Sequence, residues 1–317
     1  MHLRRVLLSV LSTVLLTSGG AWAAPAQDPA PQQGDSGTAA VEDPLPNAAQ
    51  VIRQALLATG ELDAIQKSSA RTLTGKIRLP GTEEPGTLRM IQARPDRFLQ
   101  SSSFPTIAEV QIGHDGKTTW MVHPVPSIGS QVLDGIIAAQ ERMRNAFDFG
   151  LHTRKHIKSL QTVAKEQFDG RTCYVVKLEL MPFRDGGKVL DLDATLRYRQ
   201  FTEYYEVETG FLAGATVVQA TPLGDRSSTT LYRDYKELAP GVKVATKLVT
   251  QVKATGGAVS EITTTIESLS LEPVPESAFA LPDAIKALVQ TKTPEPAPAA
   301  GDGASGGDDG EAGGGRP

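Results

Sequence analysis

Residues able to do chemistry are few in this chain and mostly solitary. His152 and His156, in the run HTRKH, have the i, i+4 spacing that sets two imidazoles on one helical face, the kernel of many zinc sites. No glutamate stands between them, and Arg154, Lys155 and Lys158 put positive charge where a cation would have to sit. The run reads as a solvated basic stretch, and no metal is expected. Asp191 and Asp193 would share a face of a strand, and Glu203, Glu206 and Glu208 crowd the hairpin that follows. Acid–base catalysis needs two such groups held across a cleft in different environments, which neighbours on one exposed segment do not provide, so these read as surface charge. A hydrolase built around His123 or His152 with nearby acids is the enzymatic alternative. No nucleophile elbow, phosphate-binding loop, dinucleotide fingerprint or paired CxxC occurs. The expectation is no enzyme activity and no cofactor. The single cysteine, Cys173, sits in the apolar run TCYVV and reads as a small buried hydrophobe.

The elements that would position any such group are mostly strands. Asn47 caps a short helix in which Val51, Ile52, Ala55 and Leu56 recur at helical spacing, and Gly60 stands where a helix normally stops. From Arg71 the period falls to two. Leu73, Gly75, Ile77 and Leu79 alternate with Thr72, Thr74, Lys76 and Arg78, as a strand with one wet face requires. Further strands are predicted over 87–93, 97–102, 108–112 and 117–122, the last two joined at His114-Asp115-Gly116. Ser130 then caps a predicted helix with Leu133, Ile136, Ile137, Met143 and Phe147 on one face before Gly150. Strands resume near Gln161, with tight turns at Phe168-Asp169-Gly170-Arg171 and at Glu208-Thr209-Gly210. Tyr198, Phe201, Tyr204, Tyr205, Tyr232 and Tyr235 fall at strand-like spacings and read as cross-strand packing. Val242, Val244, Thr246, Leu248, Thr250 and Val252 share one face of a long strand, and Gly256-Gly257 turns the chain into another over 259–271. The ordered part is expected to end near Phe279, with a short helix from Pro282 through Leu288. Roughly ten strands in sequential hairpins, with one helix before them and one in the middle, give a mainly β (α+β) domain: one strongly curved antiparallel sheet. With no second sheet to pack on, its concave face must be covered by helices, and incomplete cover leaves an apolar cavity.

Composition sets the frame. The chain has 317 residues, 32 Lys+Arg, 36 Asp+Glu and 40% apolar residues, which excludes wholly disordered, collagenous and disulfide-stapled classes. Residues 1–23 read as a signal peptide: Arg4 and Arg5 precede an apolar run from Val6 to Leu16, followed by Ala21-Trp22-Ala23. No cysteine lies near that site to carry a lipid, so a soluble exported protein is expected in the periplasm. Residues 24–46 hold five prolines and no basic residue, and 290–317 hold eight glycines and four prolines. Both read as disordered segments flanking a folded domain at 47–289. That domain carries 28 basic and 27 acidic residues, a balance that argues against nucleic acid as a partner.

The order of motifs is distinctive: G-H-D-G-K-T-T-W at 113–120, a helix, F-D-G-R-T-C-Y at 168–174, E-V-E-T-G-F-L at 206–212, Y-R-D-Y at 232–235, the Gly241 turn and A-F-A-L-P at 278–282. Preceded by a signal peptide, helix and meander, it resembles the outer-membrane lipoprotein carrier and sorting (LolA/LolB-like) superfamily over residues 47–282. The resemblance implies an unclosed half-barrel whose concave face, lidded by helices, shelters acyl chains of lipoproteins or other lipid. A protein of the inner or outer membrane would be the further partner. It implies carriage or, as the alternative, an envelope-stress sensing or interaction module on the same fold. The candidate cavity liners are Leu73, Ile77, Leu88, Met90, Trp120 and Val122 on strands, with Leu133, Ile137, Met143 and Phe147 from the middle helix. The ordered part is longer than the compact carriers, and no single position answers to the carrier's lid-locking arginine.

Overall fold

Alternating apolar and polar residues over most of the chain form one 13-stranded sheet among the described residues. The computed structural model describes residues 44–292 other than 106, 146, 148–156, 181–183, 186–187, 190–197, 222–223 and 254–258. His152, His156, Asp191, Asp193 and residues 1–43 and 293–317, including the expected signal peptide at 1–23, lie outside the described residues.

The chain opens with helices α1 (Ala48–Ala58) and α2 (Glu61–Lys67), then strands β1 (Ala70–Arg78), β2 (Gly86–Ala93), β3 (Arg97–Phe104), β4 (Ile107–His114), β5 (Thr119–Val122) and β6 (Gln131–Leu133). Helix α3 (Gly135–Arg144) interrupts the sheet. It resumes with β7 (Ile157–Phe168) and β8 (Arg171–Leu180), and a separate two-residue pair follows, β9 (Arg184–Asp185) with β10 (Lys188–Val189). Strands β11 (Tyr198–Glu206), β12 (Leu212–Thr221), β13 (Gly224–Ala239), β14 (Val242–Lys253) and β15 (Val259–Ser270) complete the sheet, followed by a 3-10 turn (Glu276–Phe279) and helix α4 (Asp283–Lys292). The strands hydrogen-bond in the order β6-β5-β4-β3-β2-β1-β15-β14-β13-β12-β11-β8-β7, every neighbouring pair antiparallel; β15 pairs with β1 (Ile77 opposite Thr264), while β6 and β7 end the order without pairing to each other. The sheet is therefore open, a half-barrel rather than a closed one.

Local chemistry explains the turns. In the β4–β5 hairpin the Asp115 carboxylate accepts from the backbone N–H of Lys117 and Thr118 at 2.8 and 2.7 Å, with Gly116 at positive φ. In the β7–β8 turn, Asp169 accepts from the guanidinium of Arg233 at 2.6 Å, while Arg171 donates to the carbonyls of Ala213 and Tyr232. Phe168 stacks on Tyr204 with centroids 3.8 Å apart, over Cys173, Val175 and Ala213. The F-D-G-R motif thus pins one end of the sheet across its outer face.

Three boundaries differ from the sequence reading. Gln131–Leu133, expected within a helix from Ser130, pair with β5 instead, and α3 begins only at Gly135, at φ 52°. Helix α2 was not expected. The terminal helix runs on to Lys292, begun by Pro282, whose carbonyl accepts from Ile285 and Lys286 at 2.9 Å.

Register assigns side chains to faces. Pairing of Leu73 with Met90, Met90 with Gln100, Gln100 with Ile112 and Ile77 with Thr264 and Gly86 sets these on one face, with Leu88, Ser102, Leu248, Tyr232, Ala215 and Val176. Helices α1 and α3 cover this concave face. Its core centres on Ile77, Leu88, Phe104, Tyr232, Leu248, Val252 and Ile262. The opposite face is covered at β1–β3 by Phe279 against Ala70, Ile91 and Ala93, and α4 packs on β5 and β6.

Candidate functional site

Helix α1 is apolar where it meets the sheet. Asn47 accepts from the N–H of Ala49 at 2.9 Å and starts it. Val51, Ile52, Ala55 and Leu56 then pack on Val176 and Tyr205, with Leu160, Tyr174, Leu178 and Leu212 around them. At its end the chain turns sharply. Gly60 has φ 72°, and a Cβ there would lie 1.9 Å from the carbonyl oxygen of Gly241, so only glycine fits. The N–H of Lys243 donates to the Thr59 carbonyl at 2.8 Å. Backbone contact thus fixes the α1–α2 corner to the β13–β14 turn.

Against this corner lies a cavity of about 450 Å³, lined by Leu56, Leu57, Leu62, Val242 and Leu271 among others. Val242, at the start of β14 opposite Ala239, joins Gly60, Ala64, Ser68, Pro240 and Gly241 in lining the cavity. The exposed Lys67–Asp63 ion pair (3.2 Å) also borders it. Its volume falls in the range of small-molecule pockets.

Helix α3 covers the concave face of β2–β5 in a different way. Its buried residues include Ala138, Ala139, Gln140, Glu141 and, just beyond, Asn145. The Gln92 amide donates to the Asn145 carbonyl at 2.7 Å, Arg71 donates to Gln92, and the Asn145 amide donates to the Glu141 carbonyl at 3.0 Å. Phe147 is buried, with the guanidinium carbons of Arg71 and Arg94 at 5.8 and 5.1 Å from its ring centroid. The floor beneath includes buried Gln92, Gln100, Ser102, His114 and Thr119. His114 Nδ1 lies 3.1 Å from the Thr119 hydroxyl, and its Nε2 3.5 Å from the Asp96 carboxylate.

The predicted liners divide. Leu73, Ile77, Leu88 and Met90 share the concave face, the second and third inside its core and the other two packed against it. Leu133, opposite Thr119 in β6, joins that face. Trp120 and Val122 do not: their pairing with Gly113 and Gln111 places them on the outer face, where a Cβ on Gly113 would meet the Trp120 ring at 2.4 Å. Ile137 is half exposed at 50%, Met143 lies in α3, and Phe147 is held between the two arginines. The cavity residues Leu56, Leu62, Val242 and Leu271 were not anticipated as liners. Their signal was the pair Gly60 and Gly241, each read separately as a stop and a turn.

No catalytic set emerges among the described residues. Glu203 accepts from the Tyr205 hydroxyl at 2.6 Å and Glu206 from Thr209 at 2.7 Å. Among those residues no cluster of three or more His, Cys, Asp or Glu could hold a metal. Burial pushes the Cys173 thiol up to about 11, the opposite of what a nucleophile needs. Burial also lowers the pKa of His123. No described helix is long and apolar enough to cross a membrane.

An unclosed antiparallel sheet with helices on its concave face is the architecture the motif order implied. The fold is LolA-like. Among solved structures, a LolA superfamily protein from Nitrosomonas europaea is similar at 14% identity over 75% of this chain and 99% of that one, with a TM-score of 0.47. A DUF1329 family protein from Desulfovibrio piger gives 12% identity, 74% and 97% coverage and a TM-score of 0.48. A protein described as an outer membrane lipoprotein-sorting domain from Vibrio parahaemolyticus gives 11%, 72% and 97%, and 0.44. No protein-family model and no curated protein matches the chain. The sheet order and its two helix-covered sectors, rather than these distant likenesses, establish the half-barrel.

Proposed function

We propose that the LolA-like hollow binds acyl chains of lipoproteins or other lipid, and that the protein is an exported, periplasmic carrier in lipoprotein sorting or lipid transport that does no covalent chemistry. The observation that carries the reading is the cavity of about 450 Å³ at the α1–α2 corner, where Leu56, Leu57, Leu62, Val242 and Leu271 line it beside Asp63, Lys67 and Ser68. Each methylene buried there contributes about 0.8 kcal/mol, so a chain can be held by shape and apolarity without a specific polar contact. The predicted liners Leu73, Ile77, Leu88 and Met90 would extend the apolar surface along β1 and β2.

A second reading has its own support. Leu57 at the cavity is 54% exposed, an apolar side chain free to meet a membrane protein partner in a sensing or interaction module. Native mass spectrometry of protein purified from its own cell envelope separates the two. Co-purifying lipid or lipopeptide is the expected result; a membrane protein recovered without any lipid would favour the second reading and overturn the first.

A further inference from the structure

We propose that the sector under α3 holds an uncharged, hydrogen-bonding head of the ligand, a hydroxyl or carboxamide, inside the molecule. The inference rests on the lipid-binding reading above and adds the chemistry of the ligand's polar end.

Two buried groups point to it. The backbone N–H of Val125 donates to His123 Nδ1 at 3.1 Å, so that nitrogen carries no proton, and the neutral ring bears its hydrogen on Nε2. That Nε2 is buried with no acceptor. The Gln100 side-chain oxygen, also buried, has no donor. Buried polar atoms are normally paired, because an unmade bond costs the full desolvation of the group.

Register brings the two together. Gln100 faces the concave side between Met90 and Ile112. The β4–β5 pairing, continued by one residue, sets His123 beside Val110, whose partner Ser102 is the next concave residue after Gln100. The two side chains stand two strands apart, about 10 Å between backbones, on the same face of the sheet. Helix α3 lies over this face, held by Gln92 through the Asn145 carbonyl. The open Gln100 acceptor and the open donors of His123 and of Gln140 on α3 suit a group that both accepts and donates. A fully ionised phosphate, which only accepts, would leave Gln100 without a donor.

The test compares binding of 1-monooleoylglycerol and methyl oleate, which share one acyl chain and differ in the glycerol hydroxyls, by displacement of a fluorescent fatty acid from the full-length protein. The expected result is about tenfold tighter binding of the monoglyceride. Gln100→Leu and His123→Phe should each shrink that ratio. Equal affinities in the unmodified protein, as expected if trapped water satisfies both atoms, would overturn the headgroup site while leaving acyl binding intact. Failure of both lipids to bind would instead overturn the hollow itself. Circular dichroism checks that each variant folds, and the ratio in the unmodified protein decides the matter even if neither does.

Discussion

Helices α1 and α3 cover the same concave face but are attached by opposite means. Helix α1 buries Val51, Ile52, Ala55 and Leu56 on apolar strand residues, and its end is locked by the contact of Gly60 with Gly241. Helix α3 buries Gln140 and Glu141 beside two alanines, is tied through Gln92 and Asn145, and exposes Ile137. Burial of hydrocarbon is non-directional and fails only when the whole surface separates, whereas a few hydrogen bonds can be exchanged for water at little net cost. The difference is one of hydrocarbon burial and a backbone lock at α1 against hydrogen-bonded attachment among the described side chains of α3.

Replacing Gly60 by alanine should sharpen that contrast most. The new Cβ collides with the Gly241 carbonyl and occupies a left-handed backbone, so about 3 kcal/mol of stability should be lost, a fall in Tm of roughly 6–12 °C. A change within 1 °C by calorimetry would break the idea of a locked corner. Next, Leu56→Ala should cost about 2–4 kcal/mol in urea unfolding. Gln92→Ala should cost about 1–3 kcal/mol and speed hydrogen exchange in 138–145 while leaving 51–56 protected. Equal loss of protection in both helices would erase the distinction. The smallest effect is on pH. The pKa of His123 is lowered in the fold, so the unfolded chain binds the proton more readily. Its contribution is present above the ordinary value of 6.5 and fades as pH falls through and below it. His123→Phe should flatten the dependence of the urea midpoint between pH 5 and 7.

Period-two patterning was enough to read most of the sheet, because one-faced burial writes itself into successive residues, as in Leu73-Thr74-Gly75-Lys76-Ile77. The capped helix α1 was legible for the same reason. Two kinds of information were not. The relative parity of distant strands depends on loop lengths and bulges, which is why Trp120 and Val122, grouped with Leu88 and Met90 by apolarity, fall on the outer face. Contacts between remote turns leave no local trace: Gly60 and Gly241 each looked like an ordinary turn residue, yet their meeting builds the wall of the cavity. Helix α2 has too few residues to show a period, and Gln131–Leu133 took a strand partner that outweighed their helical spacing.

Acyl chains beneath α1 and α2 can be sought directly. A palmitoyl probe with a terminal diazirine, photolysed on the intact protein and mapped by peptide mass spectrometry, should label segments containing Leu56, Leu62, Val242 and Leu271, and excess unlabelled lipid should suppress that labelling. Labels confined to the outer face around Trp120, or insensitive to competing lipid, would contradict a hydrocarbon-binding hollow.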